Sequence, residues 1–299
     1  MKASRRFPDF YILGAPKAGT SSLAQYLDER GDVFVSDPKE PRYFADDFAD
    51  RPFKDQESYL DLFDEAPEGA LLGEGTTDYL VSKTAVDRIL DVRPDAKFIA
   101  MLRNPVQIVV AMHAQERKNG YETLADPKEA WAAIERRKSG TDVPRLCNEP
   151  KRLFYDDRCR LGEQVKRLKD KVAPEQLMII FMDDFARDTS QIYRQTLAFL
   201  GLDDEGRQDF PVVNSRHHIK HPAMIQLWKL GTSVKNKLGL KTNFGVLNKV
   251  QQVGLTSEAA PESGDLETFR QELRDYFYPD IDLLGQLTDR DLSGWLTPK

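Results

Sequence analysis

Cysteine is almost missing from this 299-residue chain. The two present, Cys147 and Cys159, are too few for a disulfide framework and point to a reduced, cytoplasmic setting. A secretory leader is not expected either, because Met1-Lys2-Ala3-Ser4-Arg5-Arg6 runs straight into Pro8 and Asp9 with no apolar stretch between. No segment approaches the roughly 18 uncharged apolar residues that a membrane span requires. Internal repeats and low-complexity tracts are also lacking. With 40% hydrophobic and 31% charged residues, the composition excludes wholesale disorder and fibrous architectures. A chain of this length buries roughly 75% of its unfolded surface and folds without staples, as one large α/β domain or two small ones.

Acidic residues are missing from one long window. Between Val212 and Val250 there is no Asp or Glu, while Arg216, Lys220, Lys229, Lys235, Lys237, Lys241 and Lys249 all fall there, with His217, His218 and His221. The net charge is −6, so the rest of the chain carries −13 (−6 minus 7). That balance argues against general nucleic-acid affinity. A local basic segment on an acidic protein suits one anionic ligand or surface, or is simply a solvated face.

What is present is an alternation of apolar runs and helical patterns, the mark of βαβ units and a parallel sheet. Phe10–Leu13, Val33–Val35, Ala70–Leu72, Lys97–Leu102 and Leu177–Phe181 read as strands. Helices are expected over Ser21–Arg30, Lys83–Val92, from Pro105 onward, Arg158–Lys171, Ser190–Leu200 and Leu266–Leu287, the last with a break at Pro279.

The strongest local signal lies between the first strand and the first helix: Gly14-Ala15-Pro16-Lys17-Ala18-Gly19-Thr20-Ser21-Ser22. Such a loop aims backbone N–H groups and a helix N-terminus at one spot, and the three hydroxyls add donors, so the segment is an anion site. It is close to a P-loop without being one. That motif requires Lys directly after the second glycine, where this chain has Thr20; its lysine, Lys17, comes two residues before Gly19.

In this strand–loop–helix form the chain resembles the sulfotransferases that use 3′-phosphoadenosine 5′-phosphosulfate (PAPS), of the carbohydrate-type and bacterial kind. The resemblance implies a P-loop-like three-layer α/β/α fold with a central, mostly parallel sheet. It implies that Lys17 meets the bridging and sulfonyl oxygens, and that Pro16, Ala18, Gly19, Thr20, Ser21 and Ser22 build the 5′-phosphate loop. Leu102-Arg103-Asn104-Pro105-Val106 is similar to the family's 3′-phosphate motif, in which the arginine clamps that phosphate. The serine usual eight residues later is replaced by Ala111, and Arg216 of the basic segment is the candidate compensating donor. Pro38-Lys39-Glu40-Pro41-Arg42-Tyr43-Phe44 resembles the Lys-Glu-x-x-Phe-Phe stretch, whose glutamate is the proposed base in relatives acting on sugars. His113, in Met112-His113-Ala114-Gln115, is the rival base. Gly73-Glu74-Gly75-Thr76-Thr77-Asp78-Tyr79 is similar to a stretch bordering the family's acceptor cleft, with Thr77 where a proline is usual. Asp183-Asp184-Phe185 and Asp291-Leu292-Ser293-Gly294-Trp295 have structural counterparts.

On this reading residues 8–299 form one sulfotransferase domain: a core over 8–210, a variable basic acceptor region over 212–262 and a helical tail over 263–299. The expected activity is sulfonate transfer from PAPS, without metal, to a small-molecule, lipid or saccharide acceptor, releasing adenosine 3′,5′-bisphosphate. The competing readings are a P-loop-like phosphotransferase using ATP and Mg²⁺, which would need a lysine after Gly19, and a non-catalytic nucleotide-binding module. Acceptor identity and oligomeric state leave no mark in the sequence.

Overall fold

In the computed structural model, residues 5–211, 218–219, 255–256 and 264–298 are described. Five strands, β1 (Phe10–Gly14), β2 (Val33–Val35), β3 (Leu71–Gly75), β4 (Lys97–Leu102) and β5 (Leu177–Phe181), form one sheet in the order β2-β3-β1-β4-β5. Every pairing in it is parallel. Helices flank this sheet in the P-loop-like α/β arrangement. β1 is buried along its whole length and β4 along all but Lys97, which is why both read as unbroken apolar runs rather than alternating ones.

β3 differs from its sequence pattern. The run Ala70-Leu71-Leu72 marks only its beginning, and the strand continues through Gly73-Glu74-Gly75. The two glycines have a steric reason. A Cβ at Gly73 would sit 2.1 Å from the Phe10 ring, and one at Gly75 would sit 3.0 Å from the Lys39 stem. Side chains two apart share a sheet face, so one face of β3 is cleared while Glu74 and Thr76 occupy the other.

The chain divides into two compact units, the first comprising Met1–Val109, Asp156–Val213 and Gln271–Lys299, the second Val110–Tyr155 and Asn214–Arg270. The first holds the sheet together with α1 (Thr20–Asp28), α2 (Gln56–Leu60), α3 (Asp78–Val81) and α4 (Ala85–Val92). α5 (Pro105–Lys118) starts in the first unit and ends in the second, which also contains α6 (Pro127–Ala132) and α7 (Ile134–Lys138). A buried bidentate ion pair organises the second unit. Arg137, 1% exposed, donates to both oxygens of Glu122 at 2.7 and 2.9 Å, and the Tyr155 hydroxyl adds a third bond at 3.0 Å. His218–Ile219 and Leu255–Thr256 form a short antiparallel pair in the same unit.

The expected helix over 158–171 is two helices, α8 (Tyr155–Cys159) and α9 (Leu161–Lys169), separated at Arg160. The break is imposed from far along the chain. α10 (Met182–Arg187) and α11 (Thr189–Leu200) follow β5, and α12 (Gly264–Thr288) brings Asp280 to the start of α9. There its carboxylate accepts from the N–H groups of Gly162 at 2.8 Å and Glu163 at 2.9 Å, an N-cap supplied by a distant helix. Nor does α12 break at Pro279. Leu273, Phe277, Ile281 and Leu284, each no more than 2% exposed, carry one buried stripe across the proline. Burying each such side chain is worth roughly 1.5–3 kcal/mol, which together exceeds the ~3 kcal/mol cost of an interior proline.

The α9–α12 contact is close enough to test. A Cβ at Gly162 would lie 2.3 Å from the Asp280 backbone oxygen, which cannot rotate away. Gly162→Ala is expected to lower stability by about 1–3 kcal/mol in urea unfolding, the usual cost of overpacking. An unchanged midpoint would mean that the two helices can separate without loss.

Candidate active site

The sheet order places a crevice at the carboxyl ends of β1 and β4. After β1 the chain leaves toward β2 on one edge, whereas β4 and β5 lie on the other side. Ligands of open α/β sheets bind at such a reversal. The loop after β1 is built for it. Gly14, at φ +134°, adopts a backbone that side-chain-bearing residues rarely do, and a Cβ there would meet the Thr77 carbonyl at 2.7 Å. Ala15 N–H donates to the Met101 carbonyl of β4 at 2.5 Å. Pro16 is half-buried and Ala18 fully buried. Lys17, exposed, has φ +61°, and Gly19, at φ +88°, caps α1 in the left-handed region. Left-handed backbone at a lysine costs of order 1–3 kcal/mol and persists only where the surroundings impose it.

Arg103, at the end of β4, reaches back to this loop. One terminal nitrogen donates to the Lys17 carbonyl at 2.9 Å, and Nε donates to Gln107 Oε1 at 2.9 Å. Two motifs separated by 86 residues therefore share one hydrogen bond. Gln107 had not stood out in the sequence; it lies one turn from Arg103 on α5 and fixes the guanidinium plane. Ala111, a further turn along, is half-buried and brings no polar side-chain atom. Arg216 and the rest of the basic window's side chains lie outside the described residues.

The segment after β2 approaches the loop from the other side. Ser36 N–H and Glu40 N–H bond to the carbonyls of Gly73 and Gly75, so the segment runs along β3. Glu40 and Arg42 both have left-handed backbone, φ +65° and +55°. Successive side chains are thereby thrown to different sides. Lys39 passes over Gly75 and its ammonium donates to Thr20 Oγ1 at 3.1 Å and Ser21 Oγ at 2.9 Å. Glu40 turns to Thr77, which donates to its carboxylate through the backbone N–H at 2.9 Å and through the hydroxyl at 3.1 Å. A proline at that position would offer neither donor. Arg42 pairs at 2.7 Å with Asp78, whose other oxygen takes Arg158 at 2.6 Å. Burial and the neighbouring Asp78 push the Glu40 carboxyl up from its ordinary pKa, while Lys39, Arg42 and the Thr77 N–H hold it down.

Behind this layer Glu74 is completely buried. It accepts from the Tyr59 hydroxyl at 2.5 Å and the Thr76 hydroxyl at 2.6 Å. Asn104, next to Arg103, is structural. Its carboxamide accepts from Val106 N–H, capping α5, and donates to the Trp295 carbonyl at 3.0 Å. The Trp295 ring N–H bonds to Asp183 at 2.8 Å, and Arg290 pairs with Asp184, so the two peripheral motifs fasten the tail to the end of β5. His113 sits in the second unit, 5% exposed, with a ring nitrogen 3.1 Å from the Leu124 carbonyl and its ring edge-on to Tyr155. Burial lowers its pKa, as for a neutral imidazole that secures a loop.

A model of the sulfotransferase domain family matches residues 7–224, nearly three-quarters of the chain and all of the strands and loops just described. The chain belongs to the sulfotransferase family. It is similar over most of its length to a crystal structure of a sulfotransferase from Alicyclobacillus acidocaldarius, with 28% identity, a TM-score of 0.72, and coverage of 97% of this chain and 99% of that one. Among curated proteins it is 35% identical over 111 residues to mouse heparan sulfate glucosamine 3-O-sulfotransferase 6, and 31% identical over 115 residues to mouse heparan sulfate glucosamine 3-O-sulfotransferase 3A1. Those stretches make up 37% and 38% of this chain, and only 31% and 28% of the relatives' own lengths.

Glu74 makes this sulfotransferase's stability depend on pH. Burial lifts its pKa from 4.5 to about 7, against the opposing hydroxyl hydrogen bonds. Between those values the folded chain holds a proton that the unfolded chain has lost. Stability therefore falls as pH rises from about 4.5 to 7 and levels off above that. The span corresponds to on the order of 3 kcal/mol. Urea unfolding at pH 5 and pH 7.5 should show the wild type losing about that much more than Glu74→Gln. Equal losses in the two proteins would mean that Glu74 is ionised in the fold.

Proposed function

We propose that the chain transfers a sulfonate group from PAPS to a hydroxyl, or an amine, of a carbohydrate or small-molecule acceptor. The observation that carries this reading is the Arg103–Lys17 contact: the loop suited to a 5′-phosphosulfate and the arginine suited to a 3′-phosphate occupy one crevice, with the Glu40 carboxylate on its border. The fit is chemical as well as spatial. N–H groups of the first turn of α1, the hydroxyls of Thr20 and Ser21, and two cationic side chains all present donors to one anionic nucleotide.

When bound, PAPS supplies a sulfonate already activated by its bond to phosphate, and breakage of that S–O bond leaves negative charge on the bridging oxygen. Lys17 offers a compact ammonium for that charge. Arg103, its plane held by Gln107, offers a fork for the 3′-phosphate. Glu40 is the base that takes the acceptor's proton, oriented by Thr77 and with its pKa raised toward working pH by burial. The saccharide end of the acceptor range has support in the curated relatives' names, and the short matched stretch leaves the individual sugar to experiment.

Binding tests the donor half directly. Adenosine 3′,5′-bisphosphate should raise the melting temperature without Mg²⁺; a rise with Mg·ATP alone would replace sulfonyl by phosphoryl transfer. Arg103→Ala should weaken the bisphosphate by the worth of a charged hydrogen bond, about 1.5–3 kcal/mol, and leave adenosine 5′-phosphate unaffected. Equal weakening of both nucleotides would move the 3′-phosphate elsewhere.

Two substitutions test the chemistry in an acceptor screen with labelled PAPS. Lys17→Ala should cut kcat by at least about 10²-fold, because its interaction strengthens only as charge develops. Glu40→Gln should cut kcat by roughly 10²–10⁴-fold with nucleotide binding kept. Near-normal turnover in either variant would remove that residue from the mechanism.

A further inference from the structure

Each residue from Gly75 to Tyr79 holds part of the segment that carries the candidate base. The Gly75 carbonyl accepts from Glu40 N–H at 3.1 Å, and Thr77 donates to the Glu40 carboxylate. Asp78 pairs with the Arg42 guanidinium at 2.7 Å. The two remaining contacts are of another kind. Thr76 Oγ1 accepts from Arg42 N–H at 3.4 Å, and the Tyr79 hydroxyl accepts from Phe44 N–H at 3.2 Å. Thr76 and Tyr79 are fully buried, and a buried hydroxyl that accepts a bond must still place its own hydrogen.

Both hydrogens go to Glu74. Its carboxyl takes the Thr76 hydroxyl at 2.6 Å, the Tyr59 hydroxyl at 2.5 Å, and a further bond from the Tyr79 hydroxyl. The Tyr59 ring in turn stacks on Tyr43, with 4.3 Å between centroids and 12° between planes. One carboxyl with no exposed surface thus stands behind three successive residues, Arg42, Tyr43 and Phe44. From this geometry we propose that Glu74 is a positioning residue for the base. It orients three hydroxyls, the hydroxyls and their rings fix residues 42–44, and that backbone sets where Glu40 points. The proposal rests on the sulfonyl-transfer reading above.

The segment requires such support. Glu40 and Arg42 both have left-handed backbone, which side-chain-bearing residues keep only where their surroundings impose it. If Arg42 N–H lost its acceptor, the turn between Glu40 and Arg42 would relax and the Glu40 carboxylate would shift against Thr77. A displacement of about 1 Å at a reacting group can cost on the order of 10²-fold in rate. None of the bonds made by Glu74 involves the loop after β1 or Arg103, so its effect on the base can be separated from nucleotide binding.

Three variants test the assignment once thermal melts establish folding. Thr76→Val takes the acceptor from Arg42 N–H, and Thr76→Ser keeps it. Glu74→Gln leaves three hydroxyls a single carbonyl oxygen with two lone pairs, so one of them must turn away. With the acceptor returned by the screen, Thr76→Val and Glu74→Gln should each lower kcat about tenfold or more, while adenosine 3′,5′-bisphosphate binding stays within about twofold by titration calorimetry. Thr76→Ser should recover most of that loss. In a Glu40→Gln background Thr76→Val should cost less than about twofold, because a residue acting through the base then has nothing left to position. Amide exchange followed by NMR, with neither acceptor nor nucleotide present, should quicken at Arg42 in Thr76→Val and at Arg42 and Phe44 in Glu74→Gln. The Thr76 pair carries the test if Glu74→Gln does not fold. Unchanged exchange, a full kcat loss in the Glu40→Gln background, or bisphosphate affinity falling as far as kcat would overturn the assignment. A wild type that binds no nucleotide would instead overturn the sulfonyl-transfer reading, and the exchange rates would still decide whether Glu74 holds the segment.

Discussion

The reversal of strand order at β1 is the constraint from which the site follows. β1 is flanked by β3 on one side and β4 on the other, all parallel, so their carboxyl ends open onto one rim. Each loop leaving that rim carries one polar group of the candidate site: Lys17 after β1, Arg103 after β4, and Thr77, holder of Glu40, after β3. The segment carrying Lys39 and Glu40 leaves β2 and lies against β3 by backbone hydrogen bonds. Adjacent strands bring residues far apart in sequence close enough for the long side chains of Arg103 and Lys39 to span what remains.

That economy explains the unusual backbone in the site. Lys17, Glu40 and Arg42 all have positive φ without being glycine. At Glu40 and Arg42 the distortion separates three neighbouring side chains: Lys39 toward α1, Glu40 toward Thr77, Arg42 toward Asp78. An ordinary extended run would put Glu40 and Arg42 on one face and Lys39 on the other. The sheet and the buried Asp78–Arg158 pair hold the strained segment, an arrangement expected where geometry serves chemistry rather than stability.

Much of this was legible in the sequence because parallel strands buried on both faces announce themselves as apolar runs. Four of the five strands begin and end within one residue of those runs. β3 was truncated because its second half, Gly73-Glu74-Gly75, owes its place to steric clearance for Phe10 and Lys39, which no propensity records. Lys17, Glu40 and Arg103 stood out through family motifs, and contiguous segments carry such motifs. Arg158 and Gln107 did not, since their roles come from tertiary contacts. The split between α8 and α9 and the unbroken α12 share that origin: Asp280 and a buried stripe outweigh what local sequence prefers at Arg160 and Pro279. His113 shows the opposite case. Histidine is the commonest general base, yet here burial and a carbonyl partner suit the ring to holding a loop.

Thr77 shows how a departure from a family pattern can be informative. The usual proline would fix the backbone at the end of β3 through its ring. Threonine gives up that rigidity and gains two donors, both directed at Glu40. Hydrogen bonds to the charged form favour it, so Thr77 works with Lys39 and Arg42 to keep the Glu40 carboxylate ionised, against burial and Asp78. The balance has a chemical sense. A carboxylate held too firmly ionised is a poor proton acceptor, and one left to burial alone is protonated before the acceptor arrives. A buried carboxylate that Lys39, Arg42 and Thr77 draw toward the charged form, and burial and Asp78 toward the neutral one, suits the proposed role of proton acceptor.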